Sequence, residues 1–188
     1  VNKKFAAAVS GGAVLMLVLS GCGGDETDDK ADAWAKKVCD KWQPELKKIE
    51  TASTDIKRVA TQNSEPAEVK TTDSAAFGTM SESYKAMGAA LQGAGVPPVK
   101  DGETTQTAAV KSFEETSKGY ADLKAKMDGL DPQDKTKFAA GLKEVAGGLE
   151  AASKGGKDAL NTLKAGGLDN AMNSQKGCQV AASSPPPK

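Results

Sequence analysis

The side chains of this 188-residue chain that could do chemistry are carboxylates, lysines, three cysteines, two tryptophans and five methionines, and there is no histidine. The missing imidazole removes Ser-His-Asp and Cys-His nucleophilic catalysis, histidine-ligated zinc and ordinary haem ligation. It also removes the group most often used for proton transfer near neutral pH, and the Glu-x-x-His motifs of di-iron bundles. The carboxylates Glu114, Glu115, Asp122, Asp128, Glu144 and Glu150 stand among lysines, as on a solvated helix face. A glycosidase pair would instead have to face each other across a cleft. Gly155-Gly156-Lys157 departs from a phosphate-binding loop twice, with Ala151 where a glycine is required and Asp158 in place of Ser or Thr. The thioethers of Met80 and Met87 suit Cu(I). With Tyr84 between them on one apolar seam, they read as core. Trp34 and Trp42 share a helical face and allow two readings, core packing or an aromatic contact surface for a partner or a membrane. The chain therefore reads as a non-enzyme, with no catalytic residue, metal ligand or cofactor to assign.

The elements that must position these residues are helical throughout. Ala35, Val38, Trp42, Ile49, Ile56 and Val59 repeat at helical spacing, with Leu46 beside the seam and Pro44 inside it. The helix either kinks at Pro44 or restarts there. Phe77, Met80, Tyr84, Met87, Leu91 and Ala94 mark a second helix, and Val110, Phe113, Ser117, Tyr120, Leu123, Met127 and Leu130 a third. Phe138, Leu142, Val145, Leu149, Ala152, Gly156, Ala159 and Leu163 mark a fourth, announced by Asp131-Pro132-Gln133-Asp134. Linkers fall at 61–73, 95–102 and 128–131, and residues 168–178 are compatible with a short fifth helix. No segment alternates as a strand. The expected fold is all-α, an up-down-up-down four-helix bundle.

Ahead of the helices, Lys3 and Lys4 precede an apolar run from Phe5 to Leu19, interrupted by Ser10, Gly11 and Gly12. A membrane-spanning helix needs about 20 predominantly apolar residues, so a cleaved secretion signal fits this segment better. Leu19-Ser20-Gly21-Cys22 resembles the lipobox of bacterial lipoproteins, and the chain as a whole is similar in composition to the small secreted lipoproteins of actinobacteria. The resemblance implies that Cys22 receives a diacylglyceryl group and that residues 1–21 are removed. Residues 22–30 would then be a polar tether, 31–178 the bundle and 179–188 an extended, disordered proline-rich tail. The location implied is the extracytoplasmic face of the cell membrane, held by lipid. Loss of residues 1–21 takes two basic residues and no acid, leaving a net charge of about −2 and no drive toward nucleic acid.

With Cys22 lipidated, Cys39 and Cys178 remain, and in an exported protein two such cysteines most simply pair. An up-down-up-down bundle puts the start of its first helix and the end of its fourth at one end, which allows that pairing. A loop of this length would stabilise the domain by about 5 kcal/mol in the chain-entropy treatment. In the fourth helix Gly141, Gly148 and Gly155 recur every seven residues, although each mid-helix glycine costs roughly 1 kcal/mol relative to alanine. Besides tolerated composition, close packing against the Ala76, Ser83 and Ala90 stripe of the second helix, or a shallow groove for a partner, would account for them. Gly141, Gly148, Gly155, Trp34 and Trp42 are thus the candidate interaction surface. The functional expectation is a non-catalytic interaction or structural module with an envelope protein partner. The alternative is a small-ligand or metal-binding lipoprotein holding its ligand between helices.

Overall fold

The structure is a computed structural model that describes residues 26–179. Residues 1–25, which include Cys22 and the expected signal segment, and residues 180–188 lie outside the described residues. Four long helices follow one another, α1 (Glu26–Thr61), α2 (Pro66–Ala94), α3 (Gly102–Gly129) and α4 (Lys135–Leu163). A π-helical turn (Lys164–Leu168) leads into the short α5 (Asp169–Asn173) and α6 (Lys176–Gln179). Among the described residues there is no strand. The chain forms an all-α bundle in which α1 packs on α2, α2 on α3 and α3 on α4, while α5 and α6 return to α1.

Helix α1 starts at Glu26, within the segment expected to be tether. Glu26, Asp28 and Asp29 occupy its first turn, where negative charge complements the exposed N–H groups. Lys30 adds an ion pair one turn on from Glu26, at 2.7 Å. Pro44 neither restarts nor ends the helix, which runs unbroken to Thr61. The proline faces solvent while its neighbours Trp42 and Leu46 are buried, so water can take up the carbonyl its missing N–H leaves unbonded. Helix α2 begins at Pro66, well before the Asp73 boundary expected from the apolar pattern. Proline suits this first helical position because its N–H would be orphaned there anyway. At α4 the expected start signal holds, with Asp134 accepting the Lys137 N–H at 3.0 Å.

The helices alternate in direction, and two indole hydrogen bonds fix the register of the first pair. Trp34 Nε1–H donates to the Gly95 carbonyl at 2.7 Å, and Trp42 Nε1–H, eight residues on, donates to Met87, eight residues earlier, at 3.0 Å. One core half, around Trp34, Val38, Trp42, Leu91, Phe113 and Leu163, lies at the end where α1 begins. The other, around Phe77, Met80, Leu123, Met127, Phe138 and Val145, fills the opposite end. An aromatic column joins them. Trp42 meets Phe113 edge-on at 5.3 Å, Phe113 stacks on Tyr84 at 6.1 Å, and Tyr84 stacks on Tyr120 at 5.5 Å. Tyr120 reaches Phe77 at 6.4 Å. Such contacts add about 0.5–1.5 kcal/mol each beyond burial.

The π-helical turn that continues α4 is broken at Gly167, which takes φ +92°, a left-handed conformation that costs a glycine little. That turn sends α5 and α6 across the start of α1, where Cys178 is joined to Cys39 with Cα atoms 5.0 Å apart. Gly177 makes the approach possible, since a Cβ there would collide with the Cys39 backbone carbonyl.

Candidate functional site

The two tryptophans are core residues. Trp34 is 4% and Trp42 1% exposed, and their indole N–H groups are spent on the carbonyls of Gly95, just past α2, and of Met87 within it. The aromatic contact surface allowed by their spacing is thereby overturned. An indole on α1 beside the disulfide is worth more buried against α2 than in water. Met80 and Met87 are likewise buried, in separate halves of the core.

The glycine stripe of α4 packs against α3, not against the small-residue stripe of α2. A Cβ on Gly148 would lie 2.7 Å from Leu123 Cδ2, and one on Gly155 would lie 2.6 Å from Thr116 Oγ1. One on Gly141 would collide with the Leu130 side chain. Thr116, Leu123 and Leu130 are also seven apart, so each glycine provides a hole for one knob, two from α3 and the third from Leu130 directly after it. Gly156, beside the stripe, does the same for the Tyr84 ring, which a Cβ would approach to 2.9 Å. Gly147 has nothing within 4 Å of its Cβ position. Gly147→Ala should therefore raise the unfolding free energy by about 1 kcal/mol through helix propensity alone. Gly148→Leu should lower it by about 1–3 kcal/mol through overpacking. Urea denaturation of the two variants checks both signs.

Two grooves run along the surface. One, of about 580 Å³, lies between α1 and α2, with Lys47, Thr51, Asp55 and Arg58 on one wall and Thr72 and Ala76 on the other. Arg58 is engaged there, bonding Glu68 at 2.9 Å, and Lys48 is paired with Glu45 at 2.9 Å. The second groove, of about 430 Å³, follows α3 and α4 over Gly148, Ala152 and Gly155. Its floor is the packed glycine stripe.

The carboxylates named from the sequence do not converge. Asp122 pairs with Lys118 at 2.6 Å and Glu115 with Lys111 at 3.8 Å, each one turn apart on α3, while Glu114, Glu144 and Glu150 are exposed. Asp128 receives Lys124 at 2.6 Å and the Ser74 hydroxyl at 2.5 Å, and these bonds hold its carboxyl below the usual range. Among the described residues, no three His, Cys, Asp or Glu side chains gather as a metal-binding group.

Two buried polar groups escape the sequence pattern. Asp73 Oδ1 and Ser83 Oγ have no hydrogen-bond partner among the described residues. Asp73 is 8% exposed, and burial pushes its carboxyl up to about 6. It occupies the α2 seam one step before Phe77, so continuing the alternating spacing backward from Phe77 would have found it. No known protein family, curated protein or solved structure matches this chain.

Proposed function

We propose that this protein is a lipid-anchored, non-catalytic module on the extracytoplasmic face of the cell membrane, holding a rigid helical surface out to an envelope partner. The observation that carries this reading is Leu19-Ser20-Gly21-Cys22, placed four residues before the first helical residue, Glu26. The anchor would thus sit next to a packed body with little slack between them. The Cys39–Cys178 pairing supports export, since such bonds persist in oxidising compartments. Mixed charge on the helix faces, much of it in ion pairs one turn apart, supports a solvated surface rather than a reaction centre.

Fractionation of cells making the full chain or its Cys22→Ser variant tests the reading. The full chain should pellet with membranes, resist high salt and be released by detergent, whereas Cys22→Ser should be soluble. Both forms soluble, or both membrane-bound, would overturn it. The small-ligand alternative draws on the groove between α1 and α2, whose threonines and lysines offer polar contacts. A melting-temperature rise of the native chain with a metal or an extracted envelope lipid, lost in Lys47→Ala, would favour that alternative.

A further inference from the structure

Val96 is the one large apolar side chain exposed among the described residues, at 57%. It stands on the α2–α3 connection, Gly95-Val96-Pro97-Pro98-Val99-Lys100-Asp101, where Pro97 is buried and Pro98 and Val99 are half-buried. The loop is held from both sides. The Gly95 carbonyl accepts from Trp34 Nε1–H at 2.7 Å and from Gln106 Nε2–H at 2.9 Å. Val99 N–H donates to Pro97 and Gly102 N–H to Val99, at 2.9 and 3.1 Å. Val96 is therefore presented by a rigid tip, and covering it would order nothing further.

The tip lies at the end of the bundle where α1 starts. Trp34, which bonds Gly95, is eight residues from Glu26, a distance of about 12 Å along the helix. Cys22 precedes Glu26 by four residues, which reach about 14 Å. The reach of those residues thus spans the distance from Glu26 to the level of the Val96 tip, and a lipid on Cys22 and the tip can share one plane. We infer that Val96 and Pro98 rest on the lipid surface and fix the tilt of the anchored bundle. This inference rests on the lipid-anchor reading.

Burying the exposed part of one valine favours the docked orientation by about tenfold. That would not hold a free protein on a membrane. It suffices for a tethered one, whose anchor makes the contact intramolecular. The exposed acids Glu26, Asp28, Asp29 and Asp32 would oppose an anionic headgroup layer, so the contact is with the apolar border of the bilayer rather than with its charge.

The test uses lipidated full chain in phosphatidylcholine vesicles with brominated acyl chains, carrying a bimane label at Lys100→Cys or, at the opposite end, Gln62→Cys. Bromolipid should quench the label at 100 and spare the one at 62. Adding Val96→Asp should drop quenching at 100 to the level at 62, with melting temperature unchanged because Val96 lies outside the core. If the protein floats with the vesicles but neither label is quenched, the tip contact is refuted and the anchor stands. Equal quenching at both positions, or quenching at 100 that survives Val96→Asp, also refutes it. If the lipid-modified chain does not float, anchor and contact fail together.

Discussion

Cys178→Ser should lower the unfolding free energy by up to about 5 kcal/mol, the loop-closure entropy expected for a link spanning 139 residues. At this chain length, that corresponds to a fall in melting temperature of about 10–20 °C. The loss comes chiefly through the unfolded state, since the cross-link restrains almost the whole bundle before it folds. It also has a local component. Leu168 of the π-helical turn and Ala171 and Met172 of α5 join Ala31, Trp34 and Val38 in one core half, and without the bond this short return is held by packing alone. Cys39→Ser should cost at least as much, because Cys39 is fully buried. Urea denaturation of both variants and of the reduced wild type decides the matter. Midpoints equal to that of the oxidised wild type would refute a stapled bundle.

Asp73 gives the second large effect, and its sign is unusual for a carboxylate. Burial raises its folded-state pKa from 3.8 to about 6, so between these values the native chain binds the proton more tightly than the unfolded chain does. Its contribution to stability is fullest below about pH 4 and is lost as pH rises through 6. A shift of this size corresponds to about 3 kcal/mol, which solvent screening at the bundle's end reduces to about 1–2 kcal/mol. Asp73→Asn should remove the decline between pH 4 and 6 and leave the protein more stable at pH 7. Asp128, Asp134 and Glu68 have lowered values. Their stabilisation is therefore present at neutral pH and lost as pH falls through the ordinary values, 3.8 for aspartate and 4.5 for glutamate; it is common to wild type and Asp73→Asn and cancels when the two are compared. Equal pH slopes for wild type and Asp73→Asn between pH 4 and 6 would contradict a buried, unpartnered carboxylate.

The long helices were legible because each carries apolar residues three and four apart, and a bundle is what such faces form when covered. The cysteine pairing was legible from the count, two cysteines left in a chain expected to be exported, and an antiparallel bundle allowed it by bringing both to one end. Other features failed for a common physical reason. Apolar spacing treats polar residues as surface, so Asp73 and Ser83 passed as linker or stripe although Phe77, Met80 and Leu91 carry them into the core. Pro66 is a first-turn signal, but residues 61–73 read as a linker because polar residues surround it. Small residues mark close approach without saying to which helix. Thr116 and Leu123 of α3 and Leu130 just after it carry the matching period of seven, and only the register of α3 against α4 turns that match into contact. Core packing was one of the two readings open to Trp34, and what decides it is a carbonyl sixty-one residues away.

The central claim is that Cys22 is the lipidated first residue of the mature protein. Intact mass measurement on the chain purified from bacterial membranes tests it most directly. A single species beginning at Cys22, heavier than that polypeptide by a diacylglyceryl group and reverting to an unprocessed mass in Cys22→Ser, is the result predicted. A chain retaining residues 1–21, or one beginning at Cys22 without added lipid, would contradict it.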